Sequence, residues 1–252
     1  MIRRIIGFAI LNIIAVFTTG LYSQYPYLVK QKEIVDQQTD EFVNFSEYVL
    51  GKDYRLVNGR IYSQPFMKAY GHPFFKDIHW MSGSVTVNGK TFTGLQLNYD
   101  VFKDQLIFLD ESPDGSKKII LLNKNQVTKF IIENHSFIKL ESPEIINISE
   151  SYHYELLYEA EISLLKKWYK EFESNATQDY PNGKFLDTKT TWYIMKDKQL
   201  FKVTGRVTLL KICTDNKEEM KKYLRKNSIN VRKGPDQELI GFIKYYNGLI
   251  SE

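Results

Sequence analysis

Ser84-Val85-Thr86-Val87-Asn88-Gly89-Lys90-Thr91-Phe92 decides the fold class. Two alternating runs flank Asn-Gly, the dipeptide that adopts positive φ at both central positions of a tight hairpin turn with least strain. In that register Val85 faces Phe92. The next apolar set, Leu95, Leu97, Tyr99 and Val101, is out of phase with Phe92 by one residue, so a bulge at Thr93-Gly94 is expected to return both sets to one face. Working outward, further strands are expected over Gln105–Leu109, Ile119–Leu122, Gln126–Glu133 and Ser136–Leu140. Pro113-Asp114-Gly115, Asn123-Lys124-Asn125 and Asn134-His135 separate them, residue types that preset φ or tolerate the left-handed region. Short strands at such intervals read as an antiparallel meander.

Tyr152 to Leu165 carries the longest alternation, with Tyr152, Tyr154, Leu156, Tyr158, Ala160, Ile162 and Leu164 on one side and a mostly charged set on the other. A period of two excludes a helix. The reading is one half-buried strand that bends across a sheet or continues from one sheet into another, its polar side carrying His153 and Glu155 into solvent. Ser174–Asp187 is a long polar loop, which points to a binding edge, and Thr190–Met195 with Gln199–Val203 forms a further hairpin around Asp197-Lys198. After Gly205 the pattern turns helical. Asp215 with Glu218 opens one helix with Met220, Tyr223 and Leu224 inside; Pro235-Asp236 opens another, its stripe Leu239, Ile240, Phe242, Ile243 and Tyr246, ending at Gly248. The expected fold is mainly β (α+β): a curved antiparallel sheet, half-barrel or sandwich, of eight or more strands with two to three C-terminal helices. Residues 25–205 form the β domain behind a polar lead-in, and residues 206–252 a helical unit packed on the sheet.

Residues 1–24 read as a signal peptide. Arg3 and Arg4 precede an apolar run from Ile5 to Phe17, which is shorter than the roughly 20 residues of a bilayer-spanning helix, and small residues follow at Thr18-Thr19-Gly20 and Ser23. With no membrane span left after cleavage, the chain is expected to be exported, to periplasm or beyond. The leader has no cysteine, so no lipobox. Losing Arg3 and Arg4 lowers the formal charge from +4 to +2, which removes the electrostatic basis for a general nucleic-acid partner. Cys213 is the single cysteine; an intramolecular disulfide is impossible, and its apolar neighbours mark it as a core thiol.

No chemistry-bearing constellation stands out. His72, Asp77 and His79 are the tightest group of metal-type ligands, but they lack a metal-site spacing and sit in a Pro73-Phe74-Phe75 turn. Glu155, Glu159 and Glu161 are explained by a solvated strand face. A nucleophile elbow and a P-loop are both missing. The lysines and arginines between Lys217 and Lys233 are broken up by Glu218 and Glu219 and read as a solvated helix face. What remains is aromatic content: 17 tyrosines and 16 phenylalanines are more than strands alone require, and tyrosine joins a flat apolar body to a polar tip suited to sugar or protein surfaces. Tyr99, Tyr154, Tyr158, Tyr180 and Trp192 are the candidates for such a surface; no residue is assigned to catalysis, to a metal or to a cofactor.

Gly71-His72-Pro73-Phe74-Phe75, Trp80, Gly83, Gly94-Leu95, Leu97-Asn98-Tyr99-Asp100 and Leu156-Leu157-Tyr158-Glu159-Ala160 together resemble exported β-rich proteins of unknown function typical of Bacteroidetes-type bacteria. The resemblance spans about Asn58 to Gly248 and implies a Gram-negative cell envelope; it brings no catalytic residues. The expected role is therefore a non-catalytic binding or structural protein that docks another envelope protein. The alternative is a carrier of a lipid or other apolar ligand in a half-open barrel lined by Tyr99, Val101, Tyr154, Leu156 and Tyr158, and an envelope hydrolase ranks third. The first test is processing: mass spectrometry of envelope-purified protein is expected to place the mature N-terminus within a residue or two of Gln24 or Tyr25, whereas an intact leader would mean a membrane anchor.

Overall fold

The computed structural model describes Leu56 and residues 59–64, 66–112, 114–141 and 151–251. The expected leader and most of the polar lead-in lie outside the described residues. The Asn-Gly turn forms as its chemistry requires: β2 (Met81–Val87) and β3 (Lys90–Asp100) pair around Asn88 and Gly89, both at positive φ. Val85 faces Phe92, and Gly83 faces Leu95, so Thr93 and Gly94 together oppose Ser84 alone. This is the expected bulge, with Gly94 at φ 67° supplying the left-handed residue. Gly83 serves a different end. A β-carbon there would stand 2.1 Å from the Ile131 carbonyl oxygen, so only glycine lets the neighbouring strand that carries Ile131 lie this close.

The remaining strands are β1 (Arg60–Ile61), β4 (Gln105–Glu111), β5 (Lys117–Leu121), β6 (Val127–Ile132), β7 (His135–Leu140), β8 (Tyr152–Tyr158), β9 (Ser163–Tyr169), β10 (Phe172–Glu173), β11 (Lys184–Phe185), β12 (Lys189–Lys196) and β13 (Gln199–Lys202). Eleven of the thirteen make one open antiparallel sheet, in the order β1-β5-β4-β3-β2-β6-β7-β8-β9-β12-β13, and β10 pairs with β11 apart from it. Two meanders run in opposite directions from the β2–β6 junction. The long alternation of Tyr152 to Leu164 is two strands rather than one. A turn at Glu159–Ile162, braced by the Ser163 hydroxyl donating to the Ala160 carbonyl (2.9 Å), folds β9 back on β8.

The inner face of the sheet is buried in two halves. From β2 to β7 it is filled by its own side chains: Leu97, Phe108, Ile132 and Phe137 are fully buried, and Phe75 from the preceding loop inserts among Phe137, His135 and Trp168 at ring separations of 4.9–5.3 Å. Burying each such side chain contributes roughly 1.5–3 kcal/mol. From β8 to β13 the same face is covered by three helices, α1 (Arg206–Ile212), α2 (Lys217–Lys226) and α3 (Asp236–Ile250). Leu239, Phe242, Ile243 and Tyr246 of α3 pack with Ile162, Leu164 and Ile194 of the sheet. The expected stripe is thus the buried one, and it covers strands of the sheet. Cys213 is fully buried in this second cluster, and burial pushes its thiol up to about 12. Among the described residues no helix is long and apolar enough to cross a membrane.

Helix α3 runs through Gly248 and does not stop there, because Asn247 locks that turn to the sheet. Its side chain accepts from the Ile162 amide (3.0 Å) and donates to the Ile162 and Ile243 carbonyls (2.9 Å each). Asn247→Ala would leave buried backbone groups unmatched and is expected to lower the unfolding free energy by about 3 kcal/mol. Gly248→Ala meets nothing within 4 Å and is expected to raise it by up to about 1 kcal/mol through helix propensity. Urea denaturation of the two variants should therefore show midpoint shifts of opposite sign.

Candidate functional site

The β8–β9 hairpin is incomplete. Pairing runs from the turn to Glu155 opposite Lys166 and stops, while β9 continues to pair with β12 as far as Tyr169. Tyr152–Tyr154 and Lys167–Tyr169 therefore part, and the turn between β3 and β4 closes on the split. Asp104 ends that turn at φ 54°, a left-handed conformation that aspartate tolerates better than most residues. Asp100 shapes the turn from its other end. It is fully buried, accepts from the Phe102 and Lys103 amides (3.0 and 2.9 Å) and from the Tyr62 hydroxyl (2.9 Å), and burial raises its carboxyl above the ordinary value against those bonds.

Asp104 gathers four donors. The Tyr99 hydroxyl lies 2.5 Å from Oδ1, His153 Nδ1 3.0 Å from Oδ1, Lys124 Nζ 2.6 Å from Oδ2, and the His153 amide 3.3 Å from Oδ2. In the sheet β2, β6 and β7 stand between β3 and β8, so contact of this turn with β8 requires the sheet to curl. Burial alone would raise the Asp104 carboxyl, but the bond and charge of His153, with Lys124 and Tyr99, outweigh it and hold the carboxyl down to about 2. Burial, followed by the charge and bond of Asp104, pushes the Tyr99 phenol well above its ordinary value. Because the carboxylate accepts, His153 Nδ1 carries a proton. Nε2 of that ring is buried without a hydrogen-bond partner, with Phe130 edge-on at 5.2 Å.

A second buried carboxylate steadies the wall beside the split. Glu155 accepts from the Trp168 indole (2.6 Å) and from His135 Nδ1 (2.5 Å), and Lys76 donates to the other nitrogen of His135 (2.7 Å). Trp168 is fixed in place as a result. A cleft of about 640 Å³ opens at the split, and its lining includes Lys103, Lys124, Lys167 and Lys202 together with Tyr152, Tyr169 and Tyr193. Asp104 is the single carboxylate in that lining. Tyr152 lies between two ammonium groups, Lys167 at 3.1 Å and Lys124 at 4.7 Å from its ring centre. Another cleft, of about 570 Å³, lies between Thr204–Thr208 and Ser228–Arg232. Its arginines are engaged within the fold, Arg206 with the Ile229 carbonyl and Arg232 with the Thr204 carbonyl.

The residues expected to make one surface are dispersed. Tyr99 lines the cleft; Tyr154 is buried on the outer face against Tyr193 (5.3 Å). Tyr158 packs among the helix-facing residues with Lys244 over its ring. Trp192 faces α3 and donates to Asp236 (2.8 Å), and Tyr180 lies on the long loop beside Tyr70 (5.0 Å). That loop borders an aromatic edge where Phe66 stacks on Phe172 at 4.0 Å and Met67 and Tyr70 are exposed. His153 and Glu155, read from sequence as solvated, are 2% and 5% exposed and face inward. His135, expected in a turn, opens β7 and is also largely covered, its side chain 17% exposed. The signal for this was Leu157 and Leu165 within the polar set, which marks both faces as covered. Glu159 and Glu161 are exposed beyond the end of β8 and are not gathered with Glu155. His79 pairs with Asp77 at 2.9 Å, His72 accepts from the Phe74 amide, and no group of metal-type ligands occurs among the described residues.

No family model matches the chain, and neither a curated protein nor a solved structure compared with it does. The site therefore stands on its geometry. A carboxyl held below its unfolded value stabilises the fold above that value and stops doing so as pH falls through the folded one. Asp104→Asn is expected to lower the unfolding free energy by about 2 kcal/mol at pH 7, and the gap from wild type should close between pH 4 and pH 2. Denaturant titrations across that interval check it; a gap that stays constant with pH would contradict the assignment.

Proposed function

We propose that this protein is a non-catalytic binding protein of the cell envelope, and that it engages an acidic partner at the cleft where β8 and β9 part. The observation that carries this reading is the lining of four lysines and several tyrosines around one carboxylate that is already satisfied from within the fold. Basic charge beside half-buried aromatic rings attracts an anionic group and gives it a surface to rest on. The carrier reading loses support from the inner face, where Leu97, Phe108, Ile132 and Phe137 are fully buried in one cluster of side chains. A buried carboxylate beside a histidine resembles part of a catalytic relay. Here Asp104 bonds His153, Lys124 and Tyr99, and among the described residues no serine, threonine or cysteine hydroxyl or thiol bonds His153.

Docking of another envelope protein on the aromatic edge of Phe66, Met67 and Tyr70 is the second reading, favoured by the exposure of those three side chains. A photo-crosslinking residue placed at Tyr193 or at Tyr70 in intact cells separates the two. The cleft reading expects an adduct from position 193 that falls about tenfold in a Lys103→Glu/Lys202→Glu background. An adduct from position 70 alone would favour the edge.

A further inference from the structure

The outer-face side chains of β9, β12 and β13 form a two-dimensional pattern that narrows the class of partner. Lys167 lies opposite Thr191, Tyr193 lies opposite Lys202, and Tyr169 follows Lys167 two residues along β9 on the same face. Tyr152 and Lys124 line the cleft on the other side of the split. Cations and aromatic rings thus stand side by side, Tyr193 one strand spacing of about 4.8 Å from Lys202 and Tyr169 about 6.8 Å along the strand from Lys167, spacings that bracket the length of one pyranose unit in a glycan chain.

Resting on the reading of the cleft as the binding site, we infer that its ligand is an acidic oligosaccharide, with uronate, sulfate or phosphate groups meeting the lysines and sugar rings lying against the tyrosines. Each competing class lacks one requirement. A lipid acyl chain needs an enclosed apolar channel, whereas this cleft is open and its rings carry hydroxyls. An acidic peptide draws affinity from apolar anchors sunk into pockets, whereas this lining is mostly lysines and tyrosines. Single-stranded nucleic acid would find stacking platforms, but it would also need positive charge tracking a long backbone, and the whole chain carries only 34 lysines and arginines against 30 acidic residues.

Isothermal titration of the purified protein with galacturonate oligomers tests the inference, with neutral malto-oligosaccharides, poly-glutamate and oligo-thymidylate as parallel probes and thermal melting to verify folding of each variant. The expected result is binding of the acidic oligosaccharide in preference to all three. Tyr193→Ala, which leaves every charge in place, should weaken it about tenfold, and Lys202→Glu should weaken it further and flatten its salt dependence. Tighter binding of poly-glutamate or oligo-thymidylate, lost in Lys202→Glu, would overturn the saccharide assignment while leaving the cleft as the binding site. An unchanged affinity in folded Tyr193→Ala would overturn the role of the rings. Absence of binding by every anionic probe would overturn both readings.

Discussion

The arrangement of this molecule depends on the carboxylate of Asp104. An antiparallel sheet satisfies its backbone by pairing each strand with the next, and where two strands part, buried polar groups are exposed to an apolar surround at a cost of a few kcal/mol each. Here β8 and β9 part beyond Glu155 and Lys166. Asp104 reaches across from the β3–β4 turn, accepts the His153 amide, and binds the His153 ring, Tyr99 and Lys124 at the same time. One side chain thereby stands in for a missing stretch of ladder and fastens one end of the curled sheet to its middle.

Two burial schemes meet at that point. Between β2 and β7 the inner face is closed by aromatic and aliphatic side chains and by Phe75; between β8 and β13 it is closed by helices pinned through Asn247. Neither scheme extends over the split, which lies between them and is bridged by Asp104 and Glu155. A cleft with a fastened floor and lysines in its lining follows from this geometry. Such a site is set up to hold a charged ligand at the surface, because its one carboxylate is already neutralised by Lys124 while Lys103 and Lys202 face solvent.

Much of the fold was legible from residue order. Asn88-Gly89 specified a turn, the phase slip between Phe92 and Leu95 specified a bulge, and the stripes after Asp215 and Pro235 specified α2 and α3, because each of these is a local preference with a short-range cause. The short helix α1 carried no comparable signal: nothing in Arg206–Ile212 marks a start, and tertiary packing of Leu209 and Ile212 makes it helical. The hairpin of β8 and β9 escaped for a related reason. A period of two persists through a tight turn, so alternation alone cannot distinguish one bent strand from two paired ones. The site escaped almost entirely. Asp104, Lys124, His153 and Lys167 come together only because the sheet curls, and curl is a property of many strands together; of the candidate residues only Tyr99 belongs to the cleft.

The account makes the His153 amide the decisive probe, since it is held by a side chain where a strand would ordinarily hold it. Native-state hydrogen exchange measured residue by residue should show this amide protected to a degree comparable with the paired amide of Leu165, and selectively deprotected in Asp104→Ala while Leu165 is unchanged. Rapid exchange of His153 in the wild-type protein, or protection that survives removal of the carboxylate, would contradict the claim that Asp104 replaces the missing ladder.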